Sequence, residues 1–146
     1  MALEILLHDN DNIGHVVHEA KHDVESFIWV LSYSVMRKLC QTSKQSASRE
    51  IQDQYSELRT RFRTAFSQVT SGAIASQRWS RCDALRFPVG RKVKDIIEEF
   101  MSPALVHLFE ELQVLVHIST APQPASSLTH DDLLNTVNKA ITSLQL

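Results

Sequence analysis

Residues 18–22 of this chain read His18-Glu19-Ala20-Lys21-His22, and H-E-x-x-H is the pattern of zinc proteases. Two imidazoles one helical turn apart can hold a zinc ion, and a Glu between them can take a proton from the zinc-bound water. A small zinc metallohydrolase using His18, Glu19 and His22 is therefore the enzyme reading of the sequence. The chemistry also needs a third protein ligand. The third His of the metzincin pattern would fall at position 28, where Ile28 stands, and the more distant Glu50 has no spacing to mark it. Lys21 and Asp23 put charges on both sides of His22, where proteases of this class usually carry uncharged residues. His15, His18 and His22 could form a non-catalytic metal cluster, but no Cys or carboxylate stands at ligand spacing beside them. Ser80 and His107 with an Asp could be written as a triad, yet no G-x-S-x-G elbow presents the serine.

Composition narrows the other classes. The chain has 146 residues with 43% hydrophobic content, enough for one domain with a real core and too few to expect two. Fifteen basic residues stand against seventeen acidic ones, and no Lys/Arg run lays a stripe for a nucleic-acid backbone, so nucleic acid is not an expected partner. No apolar run approaches the roughly 18 to 20 residues of a membrane span, so no membrane is expected. Cys40 and Cys82 lie far apart and the N-terminus has no secretory pattern, which reads as an intracellular chain, cytoplasmic or nuclear, with reduced thiols.

The elements that would position these residues are helices. Glycine and proline are few, and apolar residues recur at spacings of three and four. The fold class is all-α. From Asp23 to about Cys40, Val24, Phe27, Ile28, Leu31 and Val35 form one stripe, and Trp29, Val30, Tyr33 and Met36 a second. A helix apolar nearly all round predicts burial on every side, so residues 23–40 should form a central helix with Asp23 as its cap. The next helix carries Ile51, Tyr55, Leu58, Phe62, Phe66 and Val69 on one face, with Gly72 as terminator. Its Arg59, Arg61 and Arg63 read as a solvated face, with Glu50, Asp53 and Glu57 nearby to pair with them. A weaker helical pattern runs through Ile74, Trp79, Cys82 and Leu85, and residues 91–101 form another helix. Ser102-Pro103 reads as an N-cap with Pro at the first helical position, opening a helix to about His117. Thr129 caps a last helix, with Asp132 three residues on in a capping-box arrangement and Leu133, Leu134, Val137, Ile141 and Leu144 on the buried side.

Two stretches together resemble the fungal-type protein kinase family. Met1-Ala2-Leu3-Glu4-Ile5-Leu6 is similar to the motif that closes the activation segment there. His22-Asp23-Val24-Glu25-Ser26-Phe27 is similar to the H-D-L-E-S-F that introduces the central helix of the large lobe. The closing Thr129-His130-Asp131-Asp132-Leu133-Leu134 is also like the way such domains end. The resemblance implies an all-helical bundle like a kinase C-terminal lobe, with Glu4, Asp23 and Ser26 as structural motif residues. Glu4 would pair with an Arg further along the lobe, with Arg78, Arg81, Arg86 and Arg91 all in a plausible region. Asp23 would hold backbone N–H groups of the catalytic loop.

Phosphoryl transfer needs a Gly-rich loop, a phosphate-pairing Lys, a catalytic Asp with its Asn, and the Asp of D-F-G. Glycines at 14, 72 and 90 allow no G-x-G-x-x-G, and neither H-R-D nor D-F-G occurs. Residues 1–146 then read as a single partial domain without N-lobe, catalytic loop or D-F-G segment, and Met1 as an internal Met of the larger pattern. The expected function is a scaffold for the catalytic loop and substrate docking in a parent kinase, not catalytic alone. No cofactor is expected for this chain, with ATP and Mg implied only for the parent, and the expected partners are the missing kinase portion or other proteins. The zinc metallohydrolase and a non-catalytic helical protein-binding module are the alternatives.

Overall fold

Backbone N–H groups at a helix start have no intrahelical acceptor, so side chains that can reach back to them decide where helices begin. The computed structural model describes residues 19–42, 48–67, 73, 94–119 and 128–144. Five helices lie in these segments: α1 (Ala20–Gln41), α2 (Arg49–Phe66), α3 (Lys94–Phe100), α4 (Pro103–Ser119) and α5 (His130–Leu144). Among the described residues there is no strand, so the all-α class holds. None of the helices is long and apolar enough to cross a membrane.

Local signals set most of the starts. The Ser48 hydroxyl accepts from the Ile51 N–H at 3.4 Å and opens α2. Ser102 accepts from the Leu105 N–H at 3.3 Å, and Pro103 takes the first helical position of α4, as its missing N–H allows. At α5 the Asp132 N–H donates to the Thr129 hydroxyl at 3.2 Å, while the Thr129 N–H donates back to the Asp132 carboxylate at 3.0 Å. The Thr129 hydroxyl adds a third bond to that carboxylate at 2.7 Å.

The start of α1 differs from the sequence reading. The helix begins at Ala20 with Glu19 as N-cap, not at Asp23. Asp23 sits exposed within the first turn, where a negative charge still favours the positive end of the helix dipole.

One core joins all five helices. α1 packs against α2 and α5, α4 lies along α5, and α2 touches α3. The inner side of α1 contributes Val24, Ile28, Trp29, Met36 and Leu39, and facing elements supply Tyr55, Leu58, Ile96, Phe109 and Leu112. Burying each large apolar side chain is worth about 1.5–3 kcal/mol, so this cluster is the main source of stability. Aromatic rings tie α1 to α2: Tyr33 lies 5.4 Å from Phe62 and 5.3 Å edge-on from Phe66, and Trp29 meets Phe66 edge-on at 6.5 Å. The Trp29 indole N–H, buried with the core, donates to the buried Glu25 carboxylate one turn earlier at 3.1 Å. A carboxylate taken out of water needs such donors to offset its lost hydration.

Two burial expectations fail, and for a related reason. α1 is not sealed on every side: Phe27 is 52% and Val30 61% exposed. Its principal neighbours α2 and α5 cover one side, and two helices cannot enclose the whole circumference of a third. On α5 the expected inward residues Leu134, Ile141 and Leu144 are 56%, 47% and 60% exposed, and the small residues Thr136 and Ala140 are buried instead. α4 already brings bulky Phe109, Leu112 and Val116 to the core, so the partner that approaches it closely must present small side chains. The expected Gly72 terminator, Val69 and the helix through Ile74 to Leu85 lie outside the described residues; α2 ends at Phe66 with Ser67 as C-cap.

The hydrogen bonds from the Thr129 side chain and backbone hold the Asp132 carboxyl below its ordinary value. A carboxyl lowered in the folded state stabilises fully above its unfolded value and loses that contribution as pH falls through the folded one. The melting temperature of Asp132→Asn should lie below that of the parent chain above about pH 5, and the gap should narrow as pH falls below about 4 through the lowered folded-state value. Thr129→Ala should cost about 1 kcal/mol in urea unfolding at neutral pH. A gap that persists undiminished into acid would contradict the cap geometry.

Candidate functional site

The residues that could do chemistry gather at the start of α1, and the backbone there decides what they do. Glu19 is extended, with φ −115° and ψ 157°, and the helix follows it. The H-E-x-x-H pattern is therefore not carried on one continuous helix. His22 lies within the first turn and is buried, 2% exposed. Its Nδ1 accepts a hydrogen bond from the Glu19 backbone N–H at 3.0 Å, and the His22 backbone N–H donates to the Glu19 carbonyl at 2.9 Å. A backbone N–H only donates, so Nδ1 must present its lone pair, and the neutral ring then carries its proton on Nε2. That assignment leaves neither ring nitrogen with a lone pair for a metal. The imidazole occupies the place that Glu or Gln fills in a capping box, returning a side-chain acceptor to the N-cap amide. Glu19 turns to Lys21, with an ion pair at 3.3 Å.

This arrangement makes His22 a structural residue and separates it from Glu19 as a zinc ligand and general base. His18, the other imidazole of the pattern, lies outside the described residues, as do Glu4, His15, Ser80, Cys82 and the four Arg candidates. Among the described residues no three His, Cys, Asp or Glu side chains converge as a metal-holding group. Ser26 is half-buried on α1, and Asp23 is exposed one turn from the helix start.

Other candidates take ordinary structural places. His107 faces Glu110 and Glu111 of its own helix, at 3.5 Å from each, on an exposed surface. Arg61 pairs with Glu57 at 2.9 Å on the outer side of α2, as the charge pattern there predicts. Cys40 is a free thiol whose pKa is pushed up by burial, with Arg59 and Arg63 pulling partly the other way. Less thiolate at neutral pH means a less reactive sulfur.

One open depression of about 770 Å³ lies beside α4 and α5, bordered by Leu115, Asp132, Asn135, Lys139 and Thr142. Asp132 is engaged in the α5 cap, and Lys139 pairs with Glu111 at 3.7 Å. The Thr142 and Ser143 hydroxyls on this lining donate to the Asn138 and Ala140 carbonyls of their own helix.

The features that stand out are apolar. Leu134, Ile141 and Leu144 project from α5, with half-buried Val137 in line between them. Phe27 and Val30 project from α1. Sequence reading assigns all of these to the core. The 3-4-3 spacing of Leu134, Val137, Ile141 and Leu144 is the signal that could have marked a seam for another helix. No protein-family model matches this chain, and no curated protein or solved structure matches it at a significant level.

If His22 closes the first turn of α1, His22→Ala should lower stability by about 1–3 kcal/mol, the usual cost of stripping a buried partner from a hydrogen bond. Added zinc or a chelator should leave the melting temperature of the parent chain unchanged. One equivalent of tightly bound zinc, released on His18→Ala, would reverse this assignment.

Proposed function

We propose that this chain is a non-catalytic helical scaffold that binds protein through exposed apolar helix flanks. The observation that carries this reading is the α5 ridge: a short helix turns Thr136 and Ala140 inward and leaves Leu134, Ile141 and Leu144 outside. Large apolar side chains in line on one helix form a surface that another helix or strand can cover, and covering them is favourable by about 25 cal/mol per Å² of apolar area. The ridge spans 15-residue α5 almost from end to end. Helix-in-groove recognition uses anchors at this spacing.

The resemblance to the fungal-type protein kinase family gives a narrower version of the same reading. In it the chain is the large-lobe portion of a kinase, the partner is the polypeptide that carries the catalytic loop, and ATP and Mg belong to that larger protein. The resemblance would give Asp23, which is exposed in the first turn of the longest described helix, the role of accepting N–H groups from the catalytic loop. Neither version assigns catalysis to the residues described.

A photo-crosslinking amino acid at position 134 or 141, introduced in cells, should yield one discrete protein adduct, and the same group at exposed Asn138 should not. Isolated chain should show neither ATP binding at micromolar concentration nor phosphoryl transfer. Adducts that form equally from all three positions would remove the ridge as a binding surface. Measurable catalysis would overturn the scaffold reading outright.

A further inference from the structure

The basic residues of α2 divide between two flanks, and one group lies over the seam with α1. Arg61 turns to Glu57, and Glu50 and Asp53 continue that row at steps of three and four. Arg59 and Arg63 are each two residues from Arg61, about 200° round the helix, and so project from the opposite flank. Both are exposed, and like charges four residues apart repel. Burial raises the pKa of the Cys40 thiol on α1, and these two guanidiniums draw it partly back, which puts the pair on the side of α2 that faces α1. α1 adds a third cation there. Tyr33 packs on Phe62 and Phe66 of α2, and the Arg37 guanidinium lies 5.9 Å from the centre of the Tyr33 ring.

The local sequence supplies this group with no acid. No Asp or Glu stands three or four residues from Arg37, Arg59 or Arg63, and between Glu25 and Glu50 there is none at all. Arg37 donates to the Tyr33 hydroxyl at 3.4 Å, and Arg59 has a further interaction within the chain. Neither contact is needed vacant, because a guanidinium has five N–H donors and keeps its charge throughout. Side chains already held in place also give up less freedom on binding.

We propose that Arg37, Arg59 and Arg63 form a docking surface on the α1–α2 seam for a short acidic segment of a partner protein, whose Asp and Glu carboxylates meet the three guanidiniums together. Charge complementarity selects this occupant. One exposed ion pair contributes little, so a lone small anion is held weakly and several carboxylates on one chain are required. The sequences of α3, α4 and α5 carry seven acidic residues against two lysines, so a polyanion long enough to extend beyond the seam is repelled there. Screening confines each attraction to about 8 Å at physiological salt, the reach of a short segment. The surface uses no residue of α5, so this contact can fail while the ridge reading stands, and the reverse.

Fluorescence anisotropy of a labelled octaglutamate peptide, titrated with the full chain at low salt, tests the proposal. The peptide should bind and should dissociate as salt is raised, and labelled octaglutamine should not bind. Arg59→Glu and Arg63→Glu should each weaken binding by about tenfold or more, because each sets a carboxylate against the peptide. Arg61→Glu, on the opposite flank, should stay within about threefold of the parent. The double variant Arg59→Lys/Arg63→Lys keeps both charges and should also stay within about threefold. The Glu variants should melt no lower than the parent, since each removes one of two repelling charges, so their loss of binding is not unfolding. A chain that does not bind octaglutamate would overturn the proposal. So would an equal loss in Arg61→Glu, or an oligothymidylate of the same length binding as tightly as the peptide, which would place nucleic acid on the seam.

Discussion

The fold depends on how α1 divides its apolar residues between two sides. Twenty-two residues of helix carry more hydrophobic side chains than one flank can hold, and the structure buries those from Val24 through Ile28 and Trp29 to Met36 and Leu39. That choice fixes the rest. It puts Tyr33 against Phe62 and Phe66, which sets where α2 lies, and it takes Glu25 into the core with Trp29 as its donor. It also commits Phe27 and Val30 to the outside.

The start of α1 is part of the same constraint. With Glu19 extended as N-cap and the His22 ring folded back on its amide, the first turn is fixed four residues earlier than a cap at Asp23 would allow. His22 is then carried to the buried side, next to Val24 and Glu25, and Asp23 to the outside. One local hydrogen bond thus decides which member of the motif is structural and which is displayed. The same constraint operates on α5, where close approach to α4 selects small residues and turns Leu134 and Leu144 outward, while Leu133 and Val137 stay partly buried against the core.

What could be read from the sequence was what local chemistry decides. Ser102-Pro103 and Thr129 with Asp132 behave as written, because a cap is made by side chains and amides a few residues apart. The stripe on α2 was equally legible, since its opposite side is polar and leaves only one way to bury it: Tyr55 and Leu58 are inside. The flank of α1 and the rotation of α5 were not legible, because both helices carry apolar residues on adjoining faces and only the neighbours decide between them. Nor was the α1 cap: Asp23 satisfies the local rule and Glu19 does not, and Glu19 takes the place because the buried His22 ring returns an acceptor to its amide. Within the H-E-x-x-H stretch, Glu19 and His22 form the start of α1, with the His22 Nδ1 accepting from the Glu19 amide.

The most direct measurement of this account is the paired unfolding free energy of Ile28→Ala and Val30→Ala at submicromolar protein, where any association is negligible. These positions are two residues apart on one helix, one fully buried and the other mostly exposed. Ile28→Ala should cost about 2–5 kcal/mol, as removal of a buried aliphatic side chain does. Val30→Ala should change stability by no more than about 0.5 kcal/mol. Comparable losses at the two positions would mean that α1 is enclosed on both flanks, and would contradict the division on which the account rests.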